Sequence, residues 1–198
     1  MDFDWTPEQT ALRHQARTVA TEAVARYGRH NDSWINGFSK GFAKEMAAHG
    51  WIGMTWPVEF GGGGQTAINR LIVGEELIAA GAPIAAMWFA DRQMGPTLIK
   101  YATQDQQAEF LPGILSGEAT WCIGMSEPNS GSDLASLTTS AVRAGDDFVI
   151  NGQKIWSSGA HKYPYMVALI RTEPEDVAPR HAGISYFLLD LRQPGVEI

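Results

Sequence analysis

The chain has 198 residues, 44% hydrophobic and 19% charged, with a formal charge of −7 from 15 Lys and Arg against 22 Asp and Glu. That balance and the lack of any Lys/Arg cluster argue against nucleic acid and against an anionic membrane as partners. A single cysteine, Cys122, forbids an internal disulfide or a cysteine metal cluster.

The N-terminus, MDFDWTPEQT, lacks the basic and apolar stretches of a secretory signal. No run approaches the roughly 18 apolar residues of a membrane span, so the expected setting is the cytoplasm.

Thr6-Pro7-Glu8-Gln9 is a helix start: a hydroxyl at N-cap, proline at N1, an acidic first turn. Leu12, Ala16, Val19, Ala20 and Ala23 follow at helical spacing, and Gly28 is a stop. Phe42, Met46 and Ala47 predict a second helix ending at Gly50. Ile68 to Ala79 predicts an apolar third, ending near Gly81. A fourth, from Ile84 to about Tyr101, should break or kink around Gly95-Pro96, because proline lacks the helical N–H. Gln106 to Leu115 is a short fifth.

Near Gly117 the periodicity changes. Trp121–Met125, Phe148–Ile150, Met166–Ile170 and Ile184–Leu189 are short apolar or alternating runs, bounded by turn formers such as Asn151-Gly152. The fold class expected is α+β: a helical domain over residues 1–117, then an antiparallel, barrel-like β-domain over 118–198. Gly195 to Ile198 reads as a further strand beginning, as if the domain continued beyond the chain.

Most chemical motifs fall away. The tetraglycine Gly61–Gly64 has neither the spacing nor the lysine of a phosphate loop and reads as a flexible connector. His14, His30, His49, His161 and His181 make no metal-ligand spacing. Glu75 and Glu76 are neighbours on a helix and point to different faces, one of them a surface residue by default. What remains is a pair of segments about thirty residues apart, GMSEPNSGSD from Gly124 and KIWSSGAHKY from Lys154. The first offers hydroxyls and N–H donors; the second an indole, Trp156, followed by Ser157 and Ser158. An aromatic plane beside donors suits a planar heteroaromatic cofactor such as a flavin, yet Trp156 is equally readable as a core residue.

These segments, with WPVEFGGGG, GEATWCIG and GISYFLLDLRQPGVEI in order and spacing, resemble the acyl-CoA dehydrogenase family of flavoproteins over essentially the whole length. The resemblance implies an N-terminal helical domain, a middle β-domain and a C-terminal helical domain beyond these residues. It implies FAD held by Ile123, Gly124, Met125, Ser126, Glu127, Pro128, Asn129, Ser130, Gly131 and Ser132. Trp156, Ser157 and Ser158 form the second flavin segment, with Ser132 also near the CoA part of the substrate. The implied reaction is α,β-dehydrogenation of an acyl-CoA thioester in lipid breakdown, with hydride passing to flavin N5. Its carboxylate base lies in the absent domain; Glu75, Glu76 and Glu127 do not match it. The implied partners are an electron-transfer flavoprotein and further copies of the chain, as a dimer or tetramer. Ser126 and Ser158 stand where such families often carry Thr, Asn129-Ser130 where they have Gly-Ala, and Gly159 where they have Asn. A flavin monooxygenase or oxidase of the same architecture, or a non-catalytic fragment or companion subunit, are the alternatives.

Overall fold

The computed structural model describes residues 4–174, 177 and 180–198. Backbone contacts divide the chain into two compact units, one ending at Thr120 and the other starting at Trp121. Among the described residues the first contains seven α-helices and the second five strands.

Helix α1 (Pro7–Tyr27) starts as its sequence dictates. Gln9 N–H donates to Thr6 Oγ1 at 3.2 Å, and Thr6 N–H to Gln9 Oε1 at 3.0 Å, so the orphan amides of the first turn are answered reciprocally. Its buried stripe of Ala16, Val19, Ala20 and Ala23 packs on α4 (Ala67–Ala80), which ends at Gly81. Between them come α2 (Ser33–Asn36) and α3 (Lys40–Ala48), and after them α5 (Ala85–Phe89), α6 (Gly95–Tyr101) and α7 (Gln104–Leu115). α2 was invisible in the sequence: it is four residues long and its N-cap, Asp32, makes no side-chain cap.

The long helix is interrupted where expected: a π-turn, Ala90–Met94, ends directly against Gly95-Pro96, while the backbone stays right-handed helical. Pro96 sits within the first two positions of α6, where its missing N–H matters little. One expectation in this unit changes: the tetraglycine is no loose connector. Gly63, Gly64 and Gln65 donate their amides to Gly53, Trp56 and Met54 carbonyls at 2.7–2.9 Å. A Cβ on Gly62 would lie 2.3 Å from Trp56 O, so that glycine is required by close backbone approach.

The second unit is built on β4 (Tyr165–Arg171), whose near-continuous apolar sequence is mostly buried. β5 (Ile184–Asp190) pairs antiparallel along one edge, from Tyr165↔Asp190 to Arg171↔Ile184. On the other edge β1 (Trp121–Gly124) runs parallel to it, Trp121↔Tyr165 to Gly124↔Ala168. β2 (Ser140–Ala144) adds a parallel contact at Ser140↔Arg171 and forms a hairpin with β3 (Asp147–Asn151). The helical-then-β organisation holds, but the sheet is mixed rather than antiparallel, and open rather than barrel-like. The reason is topological: β1 reaches β4 through a long crossover that contains the hairpin, so the two run in the same direction. The strand expected from Gly195 is a turn instead, with Val196 N–H on Gln193 O and Gly195 at φ +89°.

Candidate functional site

β1 delivers the chain to the Gly124–Ser136 loop. Gly124 is buried at its end, and a Cβ there would meet Met166 Sδ at 2.5 Å. Ile123, Met125 and Ser126 follow half-buried. The loop then tightens on itself: Glu127 and Ser130 exchange both backbone hydrogen bonds, at 2.8 and 3.1 Å. Pro128 and Asn129 are left exposed at the tip. Ser130 is buried, its hydroxyl donating to Asp133 O, whereas Gly131 and Ser132 are exposed.

The second segment is stitched to the first at three points. Ile155 N–H donates to Ser126 O at 2.9 Å. Lys154 Nζ donates to Met125 O at 3.1 Å and to Glu127 Oε1 at 2.8 Å. Trp156 therefore leaves the backbone directly beside Ser126. Its indole is 86% exposed, and its φ is +58°, a left-handed conformation that costs a bulky residue of order 1–2 kcal/mol. Ser158 is exposed; Ser157 Oγ is buried and makes no hydrogen bond among the described residues. Within the same limits, no hydrogen bond links Pro128–Ser132 to Trp156–Ser158.

Sequence reasoning missed the group that holds this arrangement together. The Glu127 and Lys154 side chains are only 5% and 9% exposed. Glu127 Oε2 accepts from Thr138 N–H at 2.7 Å and from its hydroxyl at 3.0 Å; Oε1 accepts from Thr139 N–H at 3.0 Å as well as from Lys154. Burial pushes the Glu127 carboxyl up, but the lysine and these donors outweigh it and hold it at about 2. Arg171, also buried, donates to Leu137 O and Ala135 O and fixes the far end of the loop. A polar cleft of about 210 Å³ lies beside the turn, lined by Asn129, Ser136, Thr138 and Gln153 among others. Sequence offered no signal for the pair, since a Glu and a Lys 27 residues apart are unremarkable until the fold buries both.

Glu75 and Glu76 face differently, as their adjacency on a helix requires: Glu75 is exposed and Glu76 buried. Arg13 and Arg17 bind Glu76 from α1 at 2.6 and 2.9 Å, and Arg17 chiefly holds it at about 2. Among the described residues no His/Cys/Asp/Glu group could hold a metal ion, and no helix is long and apolar enough to cross a membrane.

The profile of the acyl-CoA dehydrogenase N-terminal domain matches residues 6–118, and that of the middle domain matches residues 122–198. The chain belongs to the acyl-CoA dehydrogenase family. It is 44% identical over 190 residues to acyl-CoA dehydrogenase IpdE1 of Mycolicibacterium smegmatis, covering 91% of this chain and 47% of that protein. To acyl-CoA dehydrogenase FadE26 of Mycobacterium tuberculosis it is 36% identical, covering 98% and 50%. Among solved structures, a steroid enzyme of the family, Tcur3481-Tcur3483, superimposes with a TM-score of 0.90 at 37% identity, over 98% of this chain and 50% of that one. The ChsE4-ChsE5 complex of Mycobacterium tuberculosis does so with 0.84 at 34% identity, over 97% and 49%. The acyl-CoA dehydrogenase chain described here thus spans about half the length of the curated relatives it matches.

Proposed function

We propose that this chain forms the flavin-facing part of an FAD-dependent acyl-CoA dehydrogenase that oxidises an acyl-CoA thioester between its α and β carbons. The observation that carries the reading is the Ile155–Ser126 hydrogen bond, which sets a solvent-facing indole against a hydroxyl-bearing loop. The fit to FAD rests on that geometry: an exposed aromatic plane in a strained backbone, flanked by the hydroxyls of Ser126, Ser157 and Ser158, one of them buried and unbonded.

In this reading Trp156 packs on the isoalloxazine. Met125 and Ser126 meet its face and polar edge, Ser158 places a hydroxyl near that edge, and Ser132 approaches both FAD and CoA. Ile123, Gly124 and the turn Glu127–Gly131 shape the loop that holds these groups. When bound, FAD supplies a hydride acceptor. The chain's own contribution is to orient it and to shield one side from water. Neither Glu76 nor Glu127 is available to take the α-proton, since each is clamped by cations and held at about 2. In keeping with the family resemblance, the base is assigned to residues outside this chain.

One of the two solved structures cited above is the ChsE4-ChsE5 complex and the other carries a paired name, Tcur3481-Tcur3483, which supports pairing with a partner chain. A subunit that lends its flavin face to a partner chain is accordingly the second reading, with an electron-transfer flavoprotein as the acceptor in either case. Flavin absorbance of the purified chain tests both. Retained flavin that is lost in Trp156→Ala and Ser126→Ala supports the site; flavin content unchanged in both variants overturns it.

A further inference from the structure

Lys154 brings a buried charge to the loop after β1. Its stem runs alongside Gly124, where a Cβ would lie 3.4 Å from Lys154 Cγ. The ammonium donates to two acceptors, the Glu127 carboxylate at 2.8 Å and the Met125 carbonyl at 3.1 Å. Stability alone is a poor reason for this arrangement. Burying an ion pair costs about as much as its attraction gains, and Thr138 and Thr139 already donate to both oxygens of Glu127. What the lysine adds is its hold on Met125.

The Met125–Ser126 peptide is trans, so its N–H points away from its C=O. With the carbonyl drawn to Lys154, the Ser126 amide is held facing the opposite way. The next peptide is fixed as well: Ser126 O accepts from Ile155 N–H at 2.9 Å, and the Glu127 amide donates to Ser130 O at 2.8 Å. A cation on a carbonyl also polarises the peptide that carries it, and in a buried site such linked hydrogen bonds strengthen one another. The Ser126 N–H is thereby both aimed and made a stronger donor, on the same residue as the Ser126 hydroxyl.

We propose that Lys154 is a positioning residue for the cofactor: through the Met125 carbonyl it sets and strengthens the Ser126 N–H as a donor to an electron-rich ring edge. This rests on the dehydrogenase reading, in which that edge belongs to the isoalloxazine. Glu127 serves as the counter-charge that lets the lysine be buried.

The test compares Glu127→Gln with the double variant Lys154→Met, Glu127→Gln in the purified chain. FAD titration gives the affinity, and NMR without FAD gives the amide nitrogen signal of Ser126. The double variant holds neither charge of the pair, so it keeps the fold better than Lys154→Met alone. It should bind FAD about tenfold more weakly, the worth of one charge-assisted hydrogen bond, and its Ser126 signal should move. Glu127→Gln keeps the ammonium on Met125 O, so its FAD affinity and Ser126 signal should stay near those of the wild type. A purely structural pair predicts the reverse, because Glu127→Gln strands a buried cation and the double variant does not. Equal FAD affinity in wild type and double variant, or a loss in Glu127→Gln as large as in the double, would overturn the inference. If the double variant fails to fold, Glu127→Gln decides alone: affinity kept supports the lysine's role, and affinity lost overturns it. A wild-type chain that binds no FAD removes the dehydrogenase reading, and the Ser126 signal then decides this one. A signal moved in the double variant supports the lysine's hold on the peptide, and an unmoved one overturns it.

Discussion

The backbone amide of Ile155 and the carbonyl of Ser126 are joined at 2.9 Å, so the loop after β1 and the segment before β4 form one continuous surface. Trp156 is the next residue, and it pays for its place with a positive φ. Trp156→Gly separates conformation from chemistry. Glycine adopts φ +58° freely, so the variant should gain about 1 kcal/mol of stability while losing the aromatic plane. Thermal unfolding should show a higher midpoint, and bound flavin should fall. A lower midpoint would mean that the indole packs where the structure shows it exposed.

The Glu127–Lys154 pair should behave as one unit. Lys154→Met leaves a buried carboxylate with only neutral donors and should cost about 3–5 kcal/mol. The double variant with Glu127→Gln should lose less than the sum of the singles, because removing both charges leaves none uncompensated. Denaturant unfolding of the four proteins measures this coupling.

The same carboxylate gives the β-unit an acid limit. Glu127 lies at about 2 in the folded state against 4.5 ordinarily, so the folded state binds its proton less readily than the unfolded one. Its contribution is therefore complete above about pH 4.5 and disappears as pH falls toward 2. Unfolding followed at the β-unit tryptophans should weaken across that window. Glu127→Gln should flatten the trend, and a Glu127→Gln profile as steep as the wild type would refute this.

How much of this was legible depends on how local each signal is. Thr6, Pro7 and Gln9 announced α1, and Gly81 its partner's end, because caps and stops act within one turn. The runs behind β1, β4 and β5 were legible because those strands carry apolar sequence. β2 was missed: of Ser140–Ala144 only Ala141 is buried, so the strand has no apolar rhythm and exists by pairing with β3 and β4. The π-turn at Ala90–Met94, the burial of Glu76 and the Glu127–Lys154 pair were illegible for a shared reason. Each is defined by partners far along the chain: Gly53, Arg13 and Arg17, and Thr138 and Thr139.

Glu76 shows what such a partner is worth. Arg13 and Arg17 are 38% and 58% exposed, so water screens their side of the bridge and the net gain is modest. Glu76→Gln should cost about 1–2 kcal/mol through its charged hydrogen bonds. Arg13→Ala and Arg17→Ala should each cost less than that. A loss larger for either arginine than for Glu76→Gln would place the strain in α1 packing rather than in the bridge.

Gly95 supplies the sharpest steric test. Its φ is −56°, an ordinary helical value, so backbone freedom is not why glycine stands there. The reason is Trp56, which is fully buried, donates its indole N–H to Asp91 O at 3.0 Å, and lies against the start of α6. A Cβ on Gly95 would sit 1.8 Å from the Trp56 ring, a distance no rotamer change of the new methyl can relieve. The ring must move instead, and moving it breaks its bond to the π-turn. Gly95→Ala should therefore destabilise the helical unit by about 1–3 kcal/mol, against the gain that alanine brings to an ordinary helix. Gly95→Ala combined with Trp56→Phe should recover part of the loss, since the smaller ring vacates the contact. A midpoint for Gly95→Ala equal to or above the wild type would show that α6 does not seat on Trp56.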